Sequence, residues 1–250
     1  MKQALSFAVL ALVAAAGAAS AAEQTVTWKS GDEQAAGLLV MPEGKGPFPG
    51  VIVIQEWWGL NDWVKEQARA LAKEGYAALA VDLYRGKVAT QQEDAHQLMM
   101  GLSPDRALRD LRGAFAFLQG RGDVRKDRIG SIGWCMGGRY TLVLATEEPA
   151  LAAAVAYYGA PPTDQSAIGR IKAPVLGHFG GEDKGPSPEQ VRLFEDLMKK
   201  AGKPVDVKIY PGAGHAFANV NNPWGGYRKE AADDAWARTK AFLAKFLKSS

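Results

Sequence analysis

Arg128-Ile129-Gly130-Ser131-Ile132-Gly133-Trp134-Cys135-Met136-Gly137-Gly138 decides the fold. The stretch begins as an apolar strand over residues 128–133 and continues into a helix over 138–147. Between them stands Gly133-Trp134-Cys135-Met136-Gly137, a glycine, a nucleophile type and a second glycine at G-x-Nuc-x-G spacing. A strand-to-helix turn this tight brings backbone against backbone, so a side chain at Gly133 or Gly137 would collide with its neighbours. The residue at the tip is held in strained geometry with its side chain projecting beyond the strand. The following helix aims its first N–H groups at that side chain, and their partial positive charge favours thiolate over thiol.

Working outward, strand-like and helix-like segments alternate. Residues 25–28 and 36–40 form a leading pair of strands. Val51-Ile52-Val53-Ile54 is a continuous apolar run, as a strand buried on both faces requires. Residues 62–74 read as a helix stopped at Gly75, and 77–83 as the next strand. Ser103-Pro104 opens a helix that runs to about Gly120, with serine as N-cap and proline at the first helical position. Strands follow at 151–157 and 174–179. Ser187-Pro188-Glu189-Gln190 is a capping-box start for a helix to Gly202. A last strand at 205–210 and a closing helix at 229–248 complete the chain. This alternation predicts one domain, residues 23–250, with a mostly parallel sheet and helices on both faces. Residues 85–102 are the least regular stretch and are expected to lie over the sheet's edge.

In such sheets ligands bind beyond the carboxyl ends of the strands, so chemistry is expected there. Glu56, Trp57 and Trp58 follow the strand at 51–54; Tyr84 and Arg85 follow 77–83. The acid of a nucleophile–acid–histidine order is Asp183 or its neighbour Glu182, both after the strand at 174–179. His215 is the only one of three histidines placed in a glycine-rich turn after the last strand. It would pair with the thiolate and later protonate the leaving group, while the acid fixes its tautomer. The oxyanion hole is expected from the backbone N–H groups of Met136 and Trp57. Trp57, Trp58, Tyr84 and Phe217 either line an apolar pocket or are ordinary packing. His96 reads as a surface residue, and His178 as a hydrogen-bonded group inside a strand.

Gln55-Glu56-Trp57-Trp58-Gly59-Leu60, Asp82-Leu83-Tyr84-Arg85, the Cys135 turn, Gly180-Gly181-Glu182-Asp183 and His215-Ala216-Phe217 together resemble the dienelactone hydrolases (carboxymethylenebutenolidases). These are a Cys-His-Asp branch of the α/β-hydrolases, and the likeness spans essentially all of residues 23–250. The resemblance implies an α/β-hydrolase fold, selects Asp183 over Glu182, and implies that Glu56 manages the thiol proton. A structural strand-end carboxylate is the plainer reading of Glu56. The resemblance also implies that two arginines hold a substrate carboxylate. Arg85 matches the first, although a surface arginine after a strand is common; Asn219 stands where the second would fall. The expected substrate is a small ester or lactone, opened through an acyl-enzyme. The alternative is a non-catalytic or redox-responsive binding protein on the same fold.

Composition bounds the remaining choices. The 250 residues are 47% hydrophobic and 23% charged, an ordinary globular balance. The formal net charge of +3 is spread along the chain, which argues against nucleic-acid or membrane partners. No phosphate loop follows the first buried strand and no metal-ligand spacing occurs, so neither cofactor nor metal is expected. A monomer is favoured. Lys2, the apolar residues 4–16 and Ala19-Ser20-Ala21 have the three-part layout of a signal peptide ending at or near residue 22. That predicts export to the periplasm or beyond, with no membrane anchor kept. The single cysteine excludes an internal disulfide.

Overall fold

A computed structural model describes residues 22–223 and 225–249. The signal-peptide reading of residues 1–22 lies outside the described residues except for Ala22. The chain runs β1 (Ala22–Ser30), β2 (Glu33–Met41), β3 (Phe48–Ile54), α1 (Asp62–Lys73), β4 (Ala77–Asp82), α2 (Gln92–Met100), α3 (Pro104–Gln119) and β5 (Val124–Trp134). It continues with α4 (Met136–Glu147), β6 (Ala153–Tyr157), α5 (Gln165–Arg170), β7 (Val175–Gly180), α6 (Pro188–Lys200), β8 (Val205–Tyr210) and α7 (Lys229–Leu243). A π-helical turn, Ala244–Lys248, follows α7.

The strands form one eight-stranded sheet in the order β1-β2-β4-β3-β5-β6-β7-β8. β2 pairs antiparallel with both β1 and β4, and every pairing from β4 to β8 is parallel. β4, β6 and β7 are buried at every position, which is why their apolar runs are continuous rather than alternating. α1 presents Trp63, Val64, Ala68, Leu71 and Ala72 as one stripe to the sheet face that also receives Ala235 and Leu243 of α7. Asn61 caps α1 by accepting from the Val64 N–H at 3.1 Å. The opposite face is covered by Leu111, Phe115 and Leu118 of α3, with Phe194 and Met198 of α6. The capping box expected at Ser187 and Gln190 is formed.

Two helices had no clear sequence signal. α2 buries only Ala95 and its N-cap residue Gln91 makes no side-chain cap, so neither an apolar stripe nor a start signal marks it. α5 has six residues and buries only Ile168. Both are held by tertiary placement rather than by local pattern.

The connections reverse direction at β3. The chain steps from β3 through α1 to β4 on one side, then returns through α2 and α3 to β5 on the other. A crevice therefore opens between the carboxyl ends of β3 and β5, the place where open parallel sheets bind ligands. Ile54 pairs with Gly133, so the two strand ends are level, and Glu56 and Cys135 each stand two residues beyond that pair.

Helix α4 leaves β5 at this crevice, and glycine makes the approach possible. A Cβ at Gly137 would strike the carbonyls of Ile54 and Gln55, and one at Gly133 would strike the Gly137 carbonyl. These contacts are with backbone and cannot be relieved by rotating a side chain. Gly137→Ala is expected to cost about 3 kcal/mol or more in urea unfolding. Unchanged stability would mean that α4 does not sit this close to β3.

His178 on β7 is fully buried, with Nδ1 3.1 Å from the Tyr210 hydroxyl and Nε2 3.2 Å from Thr239 Oγ1. Burial lowers its pKa to about 3, aided by the charge of Arg238, so the ring is neutral. It is a bonded core group tying β7 to β8 and α7.

Candidate active site

Cys135 occupies the turn between β5 and α4 at φ 55°, ψ −117°. Its N–H donates to the Tyr157 carbonyl at 3.0 Å, and its own carbonyl accepts from the Arg139 N–H at 3.1 Å. The side chain is partly exposed in the crevice. Met136 is the first residue of α4, so its N–H has no carbonyl four residues back within the helix and points toward the helix start. Arg85, Tyr158 and Ala216 are the other non-glycine residues with left-handed φ among those described. Each such conformation costs on the order of 1–3 kcal/mol. Tyr158 and Ala216 sit beside Cys135, so backbone strain gathers at this end of the sheet.

His215 lies in the loop after β8, its Nδ1 2.8 Å from Asp183 Oδ2. Asp183 is buried, and its Oδ1 accepts from the Gly185 N–H at 2.9 Å. Glu182 is exposed, so the carboxylate on the histidine belongs to Asp183. With Nδ1 committed to Asp183, Nε2 is left for the Cys135 thiol, which reaches the ring as a hydrogen-bond partner. Burial works against a charged imidazole, but the Asp183 and Cys135 hydrogen bonds and charges outweigh it, raising its pKa to about 10.

Glu56 follows β3 and is 2% exposed. Its Oε2 accepts from Asn219 Nδ2 at 2.7 Å, and its Oε1 from the Tyr158 hydroxyl at 3.3 Å. Burial raises its pKa to about 7, against the lowering influence of Asn219, of the His215 charge and of Tyr158. The Tyr158 phenol is pushed well above its usual value by burial and by the Glu56 and Cys135 charges, so it stays a donor.

These groups meet in one cavity of about 270 Å³, lined by Glu56, Trp57, Trp58, Met99, Cys135, Gly185, His215, Ala216, Asn219 and Asn222. The lining is mainly apolar, with a few polar groups among it, as expected of a small-molecule site. Trp57 and Trp58 stand edge to face, ring centroids 5.2 Å apart.

The remaining residues singled out from the sequence are placed differently. Arg85 does not line this cavity. Its guanidinium grips Asp110 of α3 through two bonds of 2.6 and 2.8 Å and reaches Glu33 at 3.2 Å. Asp110 is wholly buried and needs that partner, so Arg85 braces the fold instead of pointing at a ligand. Tyr84 is buried beneath the turn at Cys135, its hydroxyl 3.3 Å from Met136 Sδ. Phe217 is fully buried and packs against Tyr158 and Tyr210, supporting the cavity wall from behind. Two participants were missed. Tyr158 follows β6, and the rule of looking just past each strand applied to it too. Met99 comes from α2, whose sequence gave no helix signal.

A mostly parallel sheet with a strained strand-to-helix turn at Cys135, a histidine after the last strand and an acid after the strand before defines an α/β-hydrolase fold. The dienelactone hydrolase family model matches residues 35–247. A Methylorubrum extorquens protein bearing the name carboxymethylenebutenolidase is 37% identical over 82% of this chain and 75% of its own length. A Saccharolobus solfataricus protein of the same name is 33% identical over 90% of this chain and 100% of its own. Among solved structures, a Klebsiella pneumoniae protein named for dienelactone hydrolase aligns with TM-score 0.80 at 28% identity, over 90% of this chain and 100% of that one. A dienelactone hydrolase-like promiscuous phosphotriesterase from metagenomic libraries aligns with TM-score 0.84 at 26% identity, over 91% and 99%. The chain belongs to the dienelactone hydrolase family and is a hydrolase of that type.

Proposed function

We propose that the protein opens a small ester or lactone by nucleophilic catalysis at Cys135. The observation that carries the reading is the convergence of Cys135, the His215–Asp183 pair and Glu56 on a single cavity. Ionised Glu56 accepts the thiol proton, leaving a thiolate beside a protonated His215. The thiolate attacks the carbonyl, and the oxyanion settles against the Met136 and Trp57 N–H groups. Collapse breaks the bond to the leaving oxygen, which takes the His215 proton. Neutral His215 then takes a proton from water, the resulting hydroxide attacks the acyl carbon, and the thiolate departs. Glu56 returns its proton to Cys135, and the acid product releases its own to solvent. Asp183 stays ionised throughout and holds the imidazole. A thiolate works best against good leaving groups, so enol lactones and aryl esters are favoured over alkyl esters.

The pH profile tests the proton assignments. kcat/KM for p-nitrophenyl acetate is expected to rise through about pH 7 as Glu56 ionises and to fall through about pH 10 as His215 loses its proton. These limbs are apparent values of the coupled set. An ascending limb absent near neutrality, or one that survives in Glu56→Gln, would remove Glu56 from the mechanism.

We further propose that the protein is exported by its N-terminal segment. A cut after Ala21 would leave all nine residues of β1 in the sheet, where Ala22 pairs with Met41. Intact mass of protein recovered from a bacterial periplasm should correspond to a start at Ala22 or Glu23; an unprocessed mass would rule the segment out as a cleaved signal.

A further inference from the structure

Apart from the mutually balanced His215–Asp183 pair, the cavity at Cys135 is charged in one sense only. Its lining contains the carboxylate of Glu56, backed by Asp183 behind His215, and neither lysine nor arginine among the described residues. Among the described residues the hydrogen-bond donors to Glu56, Asn219 and Tyr158, are neutral. The contrast with Asp110 is direct, because that buried carboxylate is gripped by the Arg85 guanidinium. The same grip withdraws Arg85 from any ligand at Cys135. Lys184, next to the lining Gly185, is exposed and is not among the residues that line the cavity. The one cationic group facing the cavity is protonated His215, and Asp183 already balances it at 2.8 Å. The rest of the wall is Trp57, Trp58, Met99 and Ala216, with the neutral amide of Asn222.

From this we infer that the site selects uncharged acyl substrates: the tryptophan and methionine wall takes an apolar acyl or lactone ring, and the Glu56–Asn219 pair excludes a substrate carboxylate. An anionic group entering would meet a like charge at low dielectric with no cation to receive it, and like-charge juxtaposition is costly there. Asn219 is the specificity-determining residue. Its amide satisfies Glu56 without neutralising it, so the negative charge remains in the cavity once Glu56 ionises. The groups facing Glu56 from the elements around it are Cys135 after β5, Tyr158 after β6, and His215 and Asn219 after β8. None supplies a cation beyond His215.

The inference rests on the hydrolase reading for its choice of substrate, and the test separates the two. Cys135 is alkylated with iodoacetamide and with iodoacetate, a neutral and an anionic reagent of similar size, and the rate ratio is divided by that of glutathione. Both reagents react with the thiolate, so the ratio cancels its ionisation; at about pH 8 the proton that Glu56 takes from Cys135 passes on to solvent, and the ratio reports the field of the ionised carboxylate. The ratio should favour iodoacetamide by about tenfold or more beyond glutathione at about pH 8, and should shrink toward about pH 6 as Glu56 takes up its proton. Glu56→Gln should bring the ratio to within about twofold of glutathione and remove its pH dependence. A ratio equal to that of glutathione, or one favouring iodoacetate because the His215 cation dominates, overturns the inference. In parallel, kcat/KM is compared for p-nitrophenyl butyrate and mono-p-nitrophenyl succinate. Preference for the butyrate by about tenfold or more supports it and preference for the succinate overturns it. Alkylation selectivity without hydrolysis of either ester would sink the hydrolase reading and leave the charge selectivity standing.

Discussion

Cys135→Ala is expected to lower kcat/KM for an enol lactone or p-nitrophenyl acetate by about four to six orders of magnitude, to the level that binding and oxyanion contacts alone sustain. The size of the loss follows from the division of labour. In the proposed reaction Glu56 takes the thiol proton, His215 serves the leaving oxygen and water, and Asp183 holds the ring, all for the attack of one sulfur, so removing that sulfur removes the use of all three, and the effects of the four will not add. The fold should survive. Cys135 is partly exposed and its positive φ is tolerated with the help of the N–H bond to Tyr157, which alanine keeps. A far-ultraviolet circular dichroism spectrum matching wild type alongside the lost activity separates chemistry from misfolding.

Glu56→Gln is expected to move activity and stability in opposite directions. Activity should fall by about two to four orders of magnitude at neutral pH, because the amide cannot accept the thiol proton. Stability should rise relative to wild type, increasingly so at higher pH. The Glu56 pKa is raised from 4.5 to about 7 in the folded chain. A group with a raised folded pKa contributes its stability fully below the unfolded value and loses it as pH climbs through the folded value. Wild type therefore loses up to about 3 kcal/mol between about pH 4.5 and about pH 8, and the glutamine variant does not. Urea unfolding of both proteins across that range measures the difference. A wild-type curve parallel to that of Glu56→Gln would show that the carboxylate is not held at a cost.

Much of this was legible in the sequence, for identifiable reasons. Strands buried on both faces write continuous apolar runs, and the turn at Cys135 is written by two glycines whose Cβ atoms would enter backbone. Cys135, Asp183 and His215 fall at strand ends, where the loops of an open parallel sheet gather side chains into one crevice. Arg85 was the misleading signal. It has the right position after β4, but its direction is set by Asp110, 25 residues further on within α3, and no local pattern encodes that pairing. α2 was hidden because it buries little, although its Met99 completes the cavity. Tyr158 was overlooked because a tyrosine after a strand is ordinary until its hydroxyl is seen on a buried carboxylate.

The central claim is that Cys135 carries the acyl group between the two halves of the reaction. Acid quenching of wild-type protein within the first turnover of p-nitrophenyl acetate, followed by mass analysis of the peptide containing Cys135, tests it most directly. An acetyl adduct on Cys135 is expected, formed with a burst of p-nitrophenol and absent from Cys135→Ala. Turnover with no adduct on that peptide, or equal rates in wild type and Cys135→Ala, would contradict it.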